Sequence, residues 1–348
     1  MNLAWIYAFN VLVNSVLAFL TVALLVKFLL WAFRMKQPRI QALALSLPLF
    51  KVGFDFFLYN FSRWALSSQI NPLLCSPGSR AINVSFTYPT SLTPYPFSSG
   101  IYFSVEGGKT FTIADVIALS IDPLWIKTIV TLAFAVSVGL GGLRLLQALK
   151  ARKQVKEILQ TALPCLRIVS CAVEAALKKS KVQICISTKV DVPCAVGRSI
   201  IFPQNLIQTL SQAEFEAICV HELDHLRWKD SLLRAAQATL STLFWWIPTK
   251  RWQSRLELAQ ELACDATITQ FNLLPIDLAS ALAKAARGAK TGSPCLPVMY
   301  FIERGRLLGR IKALVKPPSK RSLGIRIAQC IAIFSLLTVI FFGQFWIF

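Results

Sequence analysis

An α-helical integral membrane protein, with about four spans and one α+β block outside the bilayer, is the fold class this sequence predicts. Three observations carry that prediction: an apolar composition poor in charge, several apolar runs of spanning length, and basic clusters that recur on one side of them. Of 348 residues, 55% are hydrophobic and only 16% charged, whereas soluble domains carry about 25% charge. The mean hydropathy is +0.56. A disordered chain is excluded by the same figures, because such chains are apolar-poor and charge-rich. The net charge of +20 asks for an anionic partner, and with this much apolar sequence the lipid bilayer is the expected one.

A spanning helix needs about 20 mostly apolar residues. Leu3 to Phe33 exceeds that, with Lys27 as its single charge. No basic residue precedes the run and no small-residue cleavage site follows it, so a retained helix is expected rather than a removed signal. A second span from about Ile40 to Phe61 makes residues 1–61 a pair of spans. Lys51 and Asp55 share a face of it and are expected to pair, since an unpaired charge in lipid costs at least about 2.5–3.5 kcal/mol.

Residues 62–113 read as an extracytoplasmic loop with only Arg63, Arg80 and Lys109 as basic residues, and the Pro- and Ser-rich stretch Tyr88 to Pro96 reads as irregular. The third span lies within residues 114–149 and the fourth within 325–348. Basic residues gather at Arg34, Lys36 and Arg39, at Lys150, Arg152, Lys153 and Lys156, and at Lys316, Lys320, Arg321 and Arg326. By the positive-inside rule these three clusters face the cytoplasm. Residues 150–324 then form a cytoplasmic domain. Of nine cysteines only Cys75 falls in the outer loop, which suits a reducing compartment for the rest.

Within that domain, Val182 to Ser187 alternates and is β-branched, as a strand should be. Val192 to Gly197 and Ser199 to Pro203 are two short extended stretches around a glycine turn, and Pro at both ends confines them to sheet edges. The edge strand Pro193, Cys194, Ala195, Val196 and Gly197 is the expected seat for an extended peptide, by β-augmentation. Lys178, Lys179 and Lys181 form a basic patch, but no DNA-binding motif accompanies it, so direct contact with nucleic acid is not expected.

The chemistry lies just beyond. Ser211 and Glu214 make a capping box that opens a helix. On that helix stands His221-Glu222-Leu223-Asp224-His225, and these are the only two histidines of the chain. At i,i+4 both imidazoles face one way and can share a zinc ion (Zn2+), with Glu222 beside them as general base for a metal-bound water. A third ligand is required. The position six after His225 is Ser231, which excludes the long three-histidine zincin pattern. Glu257, Glu261 and Asp265, each four apart, offer carboxylates on one face of a later helix. Glu261 as ligand leaves Asp265 one turn on, placed to hydrogen-bond a ligand histidine; Glu257 is the weaker choice. Ser231 to Pro248 is apolar and ends in Phe244-Trp245-Trp246-Ile247-Pro248. Crossing the membrane would part the two halves of the site, so this stretch reads as a helix lying in or dipping into the inner interface, with its tryptophans at headgroup level.

These residues resemble the BlaR/MecR family, membrane zinc metallopeptidases that transduce beta-lactam signals in bacteria. The shared features run in order: helical spans, Pro193, Gly197 and Pro203 of the edge strand, His-Glu-x-x-His continuing to Lys229-Asp230, then Phe244, Trp245 and Pro248, then Glu-x-Ala-Cys-Asp from Glu261 to Asp265, and a final span. The resemblance implies a zincin-like (gluzincin) domain at the cytoplasmic face of a bacterial inner membrane. It also implies zinc on His221, His225 and Glu261, Glu222 as base, and a protein substrate such as a transcriptional repressor or the chain itself. The penicillin-binding sensor domain of the antibiotic sensors is not found before Phe348, so sensing through it is not expected. A quality-control protease and a non-proteolytic receptor with a structural zinc are the alternatives; intact Glu222 speaks against the second, because a structural site needs no base.

Overall fold

The computed structural model describes residues 3–68, 102–105, 109–112, 123–288 and 304–315, with Ile331 and Ser335. Free of Pro and Gly, Leu3–Ala32 forms the 30-residue helix α1. Arg34 takes a left-handed φ of 44° and ends it. Pro38, pre-set for a first helical position, opens α2, which runs Pro38–Ser68 past the expected end at Phe61. The two helices pack through Phe19, Val22 and Val26 on one side and Ala42, Leu45 and Val52 on the other. Lys51 is buried, while the side chain of its expected partner, Asp55, lies outside the described residues.

Within the expected extracytoplasmic loop, β1 (Tyr102–Val105) and β2 (Lys109–Thr112) pair as an antiparallel hairpin. Tyr88 to Pro96 and the fourth span lie outside the described residues, Ile331 and Ser335 aside. Helix α3, Pro123–Thr161, contains the one helix among the described residues that is long and apolar enough to cross a membrane, Leu124–Thr161. The expected boundary at 150 therefore falls inside a helix. Beneath the charges of Lys150 to Lys156 runs an apolar stripe, Ala151, Val155 and Ile158, which packs against Val190, Val192 and Ile201 and so extends α3 to Thr161.

A four-stranded sheet follows, built from β3 (Leu163–Pro164), β4 (Gln183–Ser187), β5 (Cys194–Val196) and β6 (Ser199–Pro203) in the order β3-β4-β6-β5. Helix α4, Cys171–Ser180, stands between β3 and β4 in sequence. Gly197, at φ +63°, makes the tight β5–β6 turn that a side chain would strain. Strand β5 is an edge, bonded to β6 alone. Strand β6 is not: it lies inside the sheet, parallel to β4 and antiparallel to β5. Pro203 closes the strand rather than interrupting it, so its missing N–H excludes no interior ladder.

After the short α5 (Gln204–Ile207), helix α6, Gln212–Trp228, runs through the main core, where Phe215, Ile218 and Leu223 meet Ile200, Phe202, Ile268 and Leu278. Helices α7 (Asp230–Leu243), α8 (Lys250–Thr267), α9 (Pro275–Gly288) and α10 (Arg304–Val315) complete the chain as described.

Helices α7 and α8 form a hairpin along α2. Phe244 stacks edge-on against Phe56 at 5.7 Å, and on the return limb Trp252 donates to the Leu45 carbonyl at 2.5 Å. The tryptophans at its tip are not level with the helix ends. Trp246 Nε1 donates to Ser15 Oγ on α1 at 2.9 Å, and Trp245 Nε1 to the Ala133 carbonyl on α3 at 3.4 Å. Ser15 stands roughly 26 Å along α1 from Ala32, at about 1.5 Å per residue. The indole N–H groups find partners between helices, so the tip wedges into the bundle: of the two expected placements, it dips in rather than lying across the end.

Candidate metal centre

The capping box is complete: the Glu214 backbone N–H donates to Ser211 Oγ at 3.2 Å, and the Ser211 N–H to Glu214 Oε2 at 2.7 Å. It starts α6 in a register that turns His221 and His225 to one side, ring centroids 4.8 Å apart. Lys229, left-handed at φ 52°, ends α6 and begins α7 at once. That sharp turn brings Asp230 Oδ2 to 2.9 Å from His225 Nδ1. Helix α8 supplies the other side. Glu261 Oε2 lies 3.5 Å from His221 Nε2, and Oε1 3.6 Å from His225 Nε2. Asp265 Oδ1 lies 3.0 Å from His221 Nδ1, at ion-pair distance though not aligned as a hydrogen bond.

Each histidine thus turns Nδ1 to a carboxylate and Nε2 toward Glu261. A carboxylate at Nδ1 favours the tautomer whose Nε2 carries a lone pair, the form that binds a metal. Donor atoms of His221, His225 and Glu261 all come within 4.8 Å of one another, so the three residues fit a small divalent cation. His225, Asp230 and Cys264 also converge, but Arg39 already engages that carboxylate and thiol.

Two arginines flank the centre. Arg310 of α10 pairs with Glu261 Oε2 through Nη1 at 2.8 Å and grips Asp265 in a fork, Nε to Oδ2 at 2.9 Å and Nη2 to Oδ1 at 2.6 Å. Arg234 of α7 donates to Glu261 Oε1 at 2.7 Å. Burial pushes the Glu261 carboxyl up, but Arg310 and His225 outweigh it and hold it well below the usual range. Asp265 is likewise lowered against its burial, chiefly by Arg310. For His221, burial opposes charge while Asp265 and Glu261 favour it, leaving its pKa at about 9. Burial raises Glu222 above the ordinary carboxylate value, with His221 and His225 opposing, the direction that suits a base working near neutrality.

His221, Glu222, His225 and Glu261 line a cleft of about 90 Å³ together with Pro193, Cys194 and Ala195. Val196 and Gly197 line an adjoining hollow of about 290 Å³ that also touches Cys194, Ala195 and His225. The edge strand therefore borders the site along its length. Glu257 is elsewhere, in a polar pocket with Arg144, Gln237 and Gln253. Arg255 is exposed and lines no part of the cleft; Arg234 and Arg310 do. Asp230 was marked in the sequence only by its place in the shared pattern after Lys229; Arg234 and Arg310 left no local signal.

The class of the chain, a metallopeptidase, follows from its family, and the chain carries one apolar helix of membrane length among the described residues. The profile of the BlaR1 peptidase M56 family matches residues 109–314, more than half of the chain, and the chain belongs to that family. Its substrate class is accordingly protein. None of the curated proteins matches the chain.

Proposed function

We propose that the protein is a zinc endopeptidase of gluzincin type, held by four spans, that cleaves a protein substrate at the cytoplasmic face of a bacterial inner membrane. The substrate is a repressor or the chain itself. The observation that carries this reading is the convergence of His221, His225 and Glu261 beside Glu222, in a cleft bordered by an edge strand. Zinc on those three residues would supply a Lewis acid that acidifies water and polarises a peptide carbonyl. Glu222 takes the proton from the attacking water and passes it to the leaving amine. Backbone groups of Cys194, Ala195 and Val196 orient the substrate as an added strand, and Gly197 turns the chain away. Arg310 and Arg234 hold Glu261 in place, and each presents a guanidinium toward the cleft.

The test is zinc content and proteolysis of the detergent-solubilised full chain, wild type beside Glu222→Gln. Both should bind about one zinc per chain, because Glu222 is not a ligand. Only the wild type should cut itself or casein, the variant losing about 10²–10⁴-fold in rate. Absence of zinc from both proteins, or equal cutting by both, would overturn the reading.

A further inference from the structure

Arg39 reads in the sequence as one of three topogenic charges between the first two helices. Arg34 and Lys36 are exposed, but Arg39, in the first turn of α2, is turned inward, with a side chain 18% exposed. Its Nη1 lies 3.3 Å from both oxygens of Asp230. Its Nη2 pairs with Asp224 and lies 3.4 Å from Cys264 Sγ. The guanidinium also stacks on Trp228, 4.6 Å from the ring centroid. One side chain thus joins α6 through Asp224, α7 through Asp230 and α8 through Cys264. Asp224 is tied onward to α8, accepting from Thr267 Oγ1 at 3.1 Å.

The far side of this cluster is the metal centre. Asp230 spends Oδ2 on His225 Nδ1 at 2.9 Å, and Cys264 Sγ lies 3.3 Å from the same nitrogen. The Asp230 side chain is only 3% exposed. Without the two-oxygen contact from Arg39 it is a buried carboxylate with less to hold its plane, and the imidazole it orients is free to tilt.

We propose that Arg39 is a positioning residue for the metal centre: through Asp230 it fixes the ring of His225, so that the placement of α2 sets the geometry of the site. The inference rests on the reading of His221, His225 and Glu261 as metal ligands. In the proposed topology α2 is a membrane span, and Arg39 is the point at which a shift or rotation of that span reaches a ligand.

The test uses the full chain in detergent, with zinc affinity measured by chelator competition and ligand geometry by the absorption spectrum of the cobalt(II) form. Arg39→Gln should weaken zinc binding about 10–100-fold, the usual effect of removing an outer partner of a ligand, and should shift the cobalt bands. Asp230→Asn should do the same. The double variant should be little worse than Asp230→Asn alone, because both changes act on one ring. Arg39→Lys keeps the charge without the fork, and it should fall between wild type and Arg39→Gln and serve where the latter fails to fold. Lys36→Gln removes a charge from the same connection and should bind zinc as the wild type does. Unchanged affinity and spectrum in Arg39→Gln and Arg39→Lys would overturn the proposal, as would losses that multiply in the double variant. A wild type that binds no zinc would overturn the metal reading itself, and this proposal with it.

Discussion

The two histidines of the centre are supported by the same device in two different places. Behind His221 stand Asp265 and then Arg310, from α8 and α10. Behind His225 stand Asp230 and then Arg39, from α7 and α2. Ring, carboxylate and guanidinium follow in the same order, but the first series ends inside the peptidase domain and the second in the helix pair. The burial differs accordingly, at 5% exposure for the Arg310 side chain against 18% for Arg39. One histidine is therefore held by the domain's own packing. The other, in the proposal above, answers to where α2 lies.

The largest way to break this comparison is to remove Arg310. Arg310→Met leaves Glu261 and Asp265 as buried carboxylates short of a cation, a change that costs about 3–5 kcal/mol when one partner of a buried pair is lost. The metal-free protein should lose that much in denaturant unfolding. Zinc should restore part of it, since it returns positive charge to Glu261. Arg39→Met should cost less in the same measurement, because Arg39 is closer to solvent. Equal losses in the two variants would erase the distinction between the two supports.

A smaller effect separates the domain from the helix pair by pH. Burial alone would raise the Glu214 carboxyl, but bonds from Lys284 Nζ at 2.6 Å and Ser280 Oγ at 2.5 Å hold it down at about 2. A lowered carboxylate stabilises the fold above its unfolded value and gives that up as pH falls. Melting of the peptidase domain should therefore drop between pH 4.5 and about 2. Glu214→Gln should flatten this segment of the profile while leaving the helix pair alone; a profile unchanged by the substitution would assign the acid transition to other groups.

The smallest effect tests the helix-pair side. A Cβ at Gly53 of α2 would meet Leu240 Cδ2 of α7 at 2.8 Å. Gly53→Ala should push α7 and cost about 1–3 kcal/mol through overpacking, and Leu240→Ala should relieve most of that in the double variant. If Gly53→Ala melts like the wild type, α7 rests less closely on α2 than described.

What the sequence showed in advance was local. Capping box, histidine spacing and the carboxylates of Glu261 and Asp265 are patterns of a few residues on one helix face, so periodicity exposes them. The outer supports are invisible to such a reading. Arg39 and Asp230 are 191 residues apart, and Arg310 is one basic residue among several in its helix. The continuation of α3 past residue 150 was hidden because the charges of Lys150 to Lys156 mask the stripe Ala151, Val155 and Ile158 on the opposite face. The interior position of β6 was hidden by Pro203, whose place at a strand end only pairing reveals. The wedge of Trp245 and Trp246 depends on partners on α1 and α3 that no local pattern announces.

The hairpin of α7 and α8 also sets an order of events during synthesis. His221 and His225 leave the ribosome on α6, whereas Glu261 follows only on the returning limb, after the tip carrying Trp245 and Trp246 has been made. A nascent chain holding both histidines has no carboxylate to complete the set until α8 has folded back along α2. In the proposed centre the third ligand is thus made last, and a metal held by all three residues would mark a finished assembly.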